Sequence, residues 1–398
     1  MNTLFLSYDG MTDHLGPSQV IPYIQRIAQK GHQVHLVSFE KKGRYAEKAD
    51  DIRTLLKRSG ITWHPLFYSS AVPVLSAMWN VSKMNKKVLA LHNAVGFDLI
   101  HCRSYIFANI GQKMQQKFGL KFIFDIRGFW PDERVDGGLW NLQNPVFKVI
   151  YSYYKRKEKG FFESADVIIS LTKSAKEFIE RNFNVKRKVV VIPCAVDLEL
   201  FKPQSTAVGE DYRQKLGLKN EYVLLYLGSI GTWYLLEKML DFFVVLKTEK
   251  EDAKFLFLTG DNPSSIYDLA KKKGISRDDV LINKCDRSEV VKYLSVANSS
   301  VFFIKNCFSK TASSPTKHGE LLGCTIPTVC NEIGDLREII GYRGAGVLVE
   351  KLYEVAYRSA IKELLDLDVS KTKYLDTAVK YYSLEEGAKR FIEAYELG

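Results

Sequence analysis

The residues Ser313-Ser314-Pro315-Thr316-Lys317-His318-Gly319-Glu320, closed by Pro327, combine types and spacing that can hold an anion. Ser314 fits a helix N-cap, because its hydroxyl can accept from a free backbone N–H. Pro315 fits the first helical position, where no N–H is needed and φ is already set. The first turn then presents unpaired N–H groups at the positive end of the helix dipole, and Lys317 adds a full charge beside them. Glu320, one turn further on, can accept two hydroxyl hydrogen bonds. An anion clamp and a diol acceptor one turn apart suit a sugar nucleotide. A plain capped helix with a solvated lysine and glutamate has the same spacing, so the segment alone leaves both readings open.

Three other stretches carry chemistry-bearing residues. Tyr8-Asp9-Gly10 through Gly16-Pro17-Ser18-Gln19 lies between a strand and a helix, where a glycine turn lets backbone N–H groups approach a phosphate or a sugar. The stretch "DIRGFWPDERVDGG" sets Asp125, Arg127, Asp132, Glu133, Arg134 and Asp136 beside Trp130: hydrogen-bonding groups with a flat apolar face, as a carbohydrate site needs. A surface loop held by ion pairs is the alternative. Gly228-Ser229-Ile230-Gly231-Thr232-Trp233-Tyr234 follows a third strand. The chain has neither a G-x-G-x-x-G nor a G-x-x-x-x-G-K-[ST] motif, which disfavours a dinucleotide oxidoreductase or an ATPase. Metal dependence is not expected, because the short Asp366-Leu367-Asp368 run belongs to a helical tail and no other Asp-x-Asp follows a strand.

The elements that must position these residues read as α/β. Leu4–Ser7, Val34–Phe39, Asp98–His101, Phe122–Asp125 and Val167–Ser170 are short apolar strands, with a helix over Gln19–Lys30 and polar or helical sequence between the others. Such alternation implies a parallel sheet covered on both faces. Val189–Pro193 ends this unit, and a polar stretch from Asp197 to Asn220 leads into a second series: Val223–Gly228, Phe255–Leu258, Val280–Ile282 and Ser300–Phe303, with a return strand after Pro327. A length of 398 residues also favours two domains. With ligands of open α/β sheets bound at strand carboxyl ends, the crevice between two such sheets is the expected site.

A net charge of +11 favours anionic partners, but the charge is scattered along the chain and no nucleic-acid-binding motif accompanies it. The six cysteines show no Cys-x-x-Cys spacing and read as buried thiols of a reducing compartment. No signal peptide and no apolar run of about 20 residues is seen, so a cytoplasmic protein, peripheral at most, is expected. "VIYSYYKRKEKGFF" (Val149 to Phe162) and "MWNVSKMNKK" (Met78 to Lys87) could touch an anionic membrane, or be packed helices with a solvated basic face.

The Ser313–Pro327 segment resembles the S-x-P-x-K-x-x-E-x-x-x-x-x-x-P form of the donor-site signature in family 4 retaining glycosyltransferases of GT-B fold. Ala312 stands where the common signature has a first glutamate. "VIPCAVDLELFKP" (Val191 to Pro203) resembles that family's interdomain linker, and "YSLEEGAKRFIEAYELG" its closing helix. The resemblance implies two Rossmann-like doubly wound domains facing a central cleft: residues 1–193 on the acceptor side, 194–378 binding the nucleotide sugar, and 379–398 crossing back. It implies donor contacts from Gly16, Gly228, Gly231, Ser313, Ser314, Thr316, Lys317, Glu320 and Arg287. Acceptor contacts would come from Asp9, Arg103, Trp130 and Asp132, and catalysis would rest on Lys317, Arg127 and Asp125. Two further departures stand out: Arg127 replaces a histidine, and Ser229 and Trp233 replace a basic pair that grips the diphosphate.

The implied activity is transfer of a sugar from a nucleotide-diphosphate sugar, with no other cofactor. The acceptor would be a hydroxyl of a glycan or lipid-linked molecule, with retention of anomeric configuration, in cell-surface polysaccharide synthesis. A GT-B sugar-nucleotide epimerase and a non-catalytic sugar-nucleotide binder are the alternatives.

Overall fold

The computed structural model describes residues 1–69, 73–185, 187–367 and 370–397. The chain divides into two units: Met1–Cys194 with Thr311–Ser313 and Leu384–Gly398, and Ala195–Lys310 with Ser314–Ser383. The first holds β1 (Asn2–Ser7), β2 (Gln33–Glu40), β3 (Thr62–Phe67), β4 (Leu99–Arg103), β5 (Lys121–Asp125), β6 (Val167–Ser170) and β7 (Val189–Val191). They form one parallel sheet of order β3-β2-β1-β4-β5-β6-β7. The second holds β8 (Val223–Leu227), β9 (Lys254–Leu258), β10 (Val280–Asn283), β11 (Ser299–Phe302), β12 (Thr328–Asn331) and β13 (Gly346–Val349), in order β10-β9-β8-β11-β12-β13.

The middle strands are continuous apolar runs because helices cover both faces. Leu4, Phe5 and Leu6 of β1 and all five residues of β8 are buried. Two edge strands give weaker sequence signals: β3 contains Pro65 and is half exposed, and β13 is only four residues long. In each sheet the winding reverses direction between two central strands, β1 and β4 in the first and β8 and β11 in the second. The crevice outside their carboxyl ends is where such a sheet accepts a ligand.

Several boundaries differ from expectation. The stretch Asp197–Asn220 is not simply a polar linker, since it contains the helix Thr206–Lys215. The return to the first unit begins at Leu384 and not at residue 379, because the helix Lys371–Tyr382 still packs within the second. The carbonyl of Tyr382 accepts the Val196 N–H at 2.7 Å, and its hydroxyl meets His318 Nδ1 at 3.0 Å. The closing helix, Leu384–Leu397, then lies on the helix Ile21–Gln29, with Phe391 4.5 Å from the Tyr23 ring and the Tyr395 hydroxyl 2.9 Å from His101 Nδ1. All six cysteines are free thiols, but Cys285, Cys307 and Cys324 are only half-buried, which corrects the reading of buried thiols throughout. Asp366 ends the helix Glu354–Asp366, and Asp368 and Gly398 lie outside the described residues.

Candidate active site

In the second unit the segment expected to hold an anion becomes the helix Thr316–Gly323. It starts one residue later than expected: Pro315, at φ −68° and ψ 109°, is the N-cap, and no side chain caps the helix. The Pro315 carbonyl already accepts the His318 N–H at 3.0 Å, which leaves Thr316 as the first helical residue and Ser314 ahead of the cap. The helix is held from behind. A methyl group added at Gly319 would stand 2.6 Å from the Tyr382 ring, so only glycine allows this approach.

Lys317 is not a solvated surface lysine. It is buried, its Nζ donates to the Tyr226 hydroxyl at 3.1 Å, and it lies over the rings of Tyr226 and Tyr234. Burial lowers its pKa from the ordinary 10.5 to about 7, against the opposing charges of Glu320 and Asp261. The ammonium also faces the turn after β8, because a Cβ on Gly228 would lie 3.2 Å from Nζ, and the φ of +103° there independently favours glycine. Gly231 follows at φ +41°. Asp261 holds this loop by accepting the Ile230 N–H, while its own N–H donates to Thr259 Oγ1 at 3.1 Å.

One turn along, Glu320 is buried and paired with Arg287 Nη2 at 2.9 Å. Burial pushes its carboxyl up, and Arg287 draws it back. Arg287, expected among the donor contacts, is thus placed against Glu320, with its guanidinium over the Phe201 ring at 4.9 Å. Ser313 groups with the first unit although it was expected within the donor domain. The Thr311 carbonyl accepts from Thr172 Oγ1 at 2.8 Å, and Ala312 is buried among that unit's apolar side chains, where a glutamate would lose its hydration.

In the first unit the carboxyl ends of β1, β4 and β5 gather Asp9, Arg103, Asp125 and Arg127. Arg103 pairs with Asp9. Asp125 is buried, with His101 Nε2 at 3.6 Å and Arg127 Nη1 at 3.9 Å. Burial alone would raise its carboxyl, but Arg127 and His101 overcome that and hold it below the ordinary value. Arg127 Nη2 also reaches Cys194 Sγ at 3.3 Å. Ser104 and Arg127, directly after β4 and near the end of β5, have φ of +72° and +52°; strain of this kind concentrates at functional sites. Gly16 packs so closely that a Cβ would lie 2.5 Å from the Met11 Cα. Glu40, at the end of β2, ties down the same loop by accepting from Met11 N (2.8 Å) and from Thr12 N (3.1 Å) and Oγ1 (2.6 Å).

The expected acceptor loop after β5 is a correction. "WPDERVD" forms a short helix, Trp130–Asp136. Asp132 spends both oxygens on the Tyr151 hydroxyl and Lys155 Nζ, each at 2.9 Å, and so ties this helix to the long one, Pro145–Ser164. Trp130 is no bare platform: Trp140 and Tyr154 meet it edge-to-face and Arg134 lies over it. Sequence reasoning missed Tyr226, Tyr234, Asp261 and Glu40. Only Tyr226 left a signal, as a hydroxyl-bearing ring inside an apolar strand that ends at a glycine.

Two doubly wound parallel sheets in one chain define the GT-B fold. Residues 20–200 match the family model described as Glycosyltransferase Family 4, and residues 208–381 that described as Glycosyl transferases group 1. Together these matches span most of the chain, which belongs to the GT-B glycosyltransferases. It is similar to an uncharacterized glycosyltransferase, MJ1069, of Methanocaldococcus jannaschii, at 26% identity over 113 residues; the match spans 28% of either chain. Among solved structures it resembles Anabaena Alr3699/HepE in complex with UDP (14% identity, TM-score 0.72, 100% of both chains). It also resembles sucrose-phosphate synthase of Thermosynechococcus elongatus (16%, TM-score 0.70, 99% and 98%). Both are likenesses of fold.

Proposed function

We propose that this glycosyltransferase moves a hexosyl unit from a nucleotide-diphosphate sugar to a hydroxyl of a glycan or lipid-linked acceptor, with retention of configuration, in cell-surface polysaccharide synthesis. The observation that carries the reading is the helix Thr316–Gly323, which brings a buried ammonium over the Gly228 turn and a buried carboxylate one turn deeper. In this reading Lys317 and the first-turn N–H groups of the helix, Thr316 among them, take the diphosphate, and Glu320, oriented by Arg287, takes the ribose hydroxyls. The S-x-P-x-K-x-x-E variant of the signature supports it, as does the UDP bound by the Anabaena neighbour. The departing diphosphate, stabilised electrostatically, deprotonates the acceptor hydroxyl on the same face of the sugar, so no protein nucleophile is needed. The cluster of Asp9, Arg103, Asp125 and Arg127 would orient the acceptor. Thermal-shift screening against UDP-, GDP-, ADP- and dTDP-sugars selects the donor, since a ligand of the native state raises the melting temperature. NMR of the first-formed product then reads its anomer, and an inverted product would overturn the mechanism.

Transfer should survive EDTA, because the positive field in this reading comes from Lys317 and the helix end. Activity lost to EDTA and restored by Mg²⁺ or Mn²⁺ would overturn that account.

Among the described residues no helix is long and apolar enough to cross a membrane. The reading puts the enzyme at the inner face of an anionic membrane instead. The helix Pro145–Ser164 exposes Val146, Val149 and Tyr153 beside Lys148 and Arg156, and Met78 and Trp79 are exposed on the helix Pro73–Val95. Flotation with vesicles containing anionic lipid should carry the protein upward and fail with neutral vesicles. Equal behaviour with both would remove the membrane from the proposal.

A further inference from the structure

The loop after β8, Gly228-Ser229-Ile230-Gly231-Thr232-Trp233, borders the switch point yet contains no basic residue. The charge beside it is delivered from another element and held by aromatic rings. Lys317 Nζ stands 4.2 Å from the centre of the Tyr226 ring and 3.6 Å from that of Tyr234. The two rings meet edge to face, 5.8 Å apart at 72°. The Tyr226 hydroxyl donates to the Ser229 carbonyl at 2.6 Å, so what it offers Lys317 at 3.1 Å is an oxygen lone pair. Direction, distance and depth of the ammonium are therefore all set by these two tyrosines.

We propose that Tyr226 and Tyr234 are positioning residues for transfer, clamping the Lys317 ammonium against the Gly228 turn where the donor's diphosphate arrives. The inference rests on the donor-site reading above. Ring faces attract a cation but do not replace its hydration, so the clamp orients the ammonium without fully stabilising it. The other charged groups around it are already engaged. Asp261, from the loop after β9, accepts the Ile230 N–H, and Glu320, on the same helix, is paired with Arg287. Lys310 lies over the Trp233 ring at 3.7 Å, and His318 faces Tyr382, where burial lowers its pKa to about 3 and keeps it neutral. Burial raises the Tyr226 phenol far above neutrality, so it exchanges no proton with Lys317. With Lys317 lowered to about 7, much of it is neutral at neutral to mildly alkaline pH in the free protein. An arriving diphosphate supplies the missing counter-charge, and Nζ then takes a proton from solvent. Donor binding and charging of the leaving-group lysine become one event.

The test is a pH titration of the full chain carrying ¹³C-labelled lysine, with the Lys317 Cε signal assigned by its loss in Lys317→Arg. Inorganic pyrophosphate is the probe, because it carries the recognised group whatever the base. The expected midpoint is about 7 in the free protein, rising by roughly two pH units or more with pyrophosphate bound. Tyr234→Leu should lower kcat for hydrolysis of the nucleotide sugar selected by the thermal screen by about tenfold. Tyr234→Phe, which keeps the ring, should stay within about twofold. An ordinary lysine midpoint in the free protein would overturn the clamp, as would pyrophosphate binding without a shift or Tyr234→Leu with wild-type kcat. Absence of any nucleotide or pyrophosphate binding would overturn the donor-site reading itself, and the clamp's role with it.

Discussion

Replacing Lys317 by alanine should lower kcat by about 10²–10³, the loss that follows deletion of one donor to a developing oxyanion, and should also raise donor KM, because a lysine that takes up a proton when the diphosphate arrives holds the bound donor as well. The diphosphate is already charged in the bound donor, but further negative charge develops on the leaving oxygen as the glycosidic bond breaks. A fixed ammonium meets that transition state more strongly than the ground state. The helix should survive the change, because Pro315 and not Lys317 stands at its cap and Tyr382 holds it from behind. Lys317→Arg should restore activity only in part, since a planar guanidinium is broader than the ammonium seated between two rings. Stability provides a second readout with a definite sign. The folded pKa of about 7 lies below the ordinary 10.5, so between those values the unfolded chain binds more protons than the native one. Wild type should therefore gain stability relative to Lys317→Ala as pH rises through that window, and be least favoured below it. Measure kcat, donor KM and the melting temperature of both proteins from pH 6 to about 10. A raised KM at unchanged kcat would reduce Lys317 to a ground-state binder, and no change in either would remove it from the site.

Glu320→Ala should weaken nucleotide binding by about 1.5–3 kcal/mol, the range for hydrogen bonds to a charged group, which is roughly ten- to hundredfold in Kd. The buried carboxylate has one oxygen on Arg287 and keeps acceptor capacity for two ribose hydroxyls. Arg287→Gln should act through it. Burial pushes the Glu320 carboxyl up and Arg287 opposes this, so without Arg287 the carboxylate protonates at higher pH. Nucleotide binding by that variant should then be lost on acidification at a higher pH than in wild type. Calorimetric titration of both variants across pH decides the matter. Wild-type affinity in folded Glu320→Ala would remove the ribose assignment, and a pH-independent Arg287→Gln would break the proposed link.

The strand series, the restart after Val191 and the helix Thr316–Gly323 were legible in the sequence because each is a local pattern. Apolar runs of four to six residues mark strands buried on both faces, and a proline beside a serine marks a helix start. The one-residue error at Pro315 arose because both Ser314 and Pro315 are competent ahead of a helix, and the choice fell to the chain path into it. Lys317 and Glu320 were legible as residue types at a useful spacing. Their states were not. The proposed clamp joins β8 and the loop after it to the Thr316–Gly323 helix, which lies about 80 to 90 positions further along the chain, and no periodicity records such a meeting. Burial, which lowers Lys317 to about 7 and raises Glu320, is likewise set by neighbours that only the folded second unit supplies. The same holds for Trp130 and Asp132. Their composition suits a carbohydrate platform, but the partners that occupy them come from further along the chain: Trp140 from the following loop, and Tyr151, Tyr154 and Lys155 from the helix Pro145–Ser164. Local sequence set the elements and the kinds of side chain available at each strand end. Tertiary packing alone decided which of those side chains meet, which are spent on one another, and what charge each carries, because desolvation and pairing depend on atoms distant in the chain.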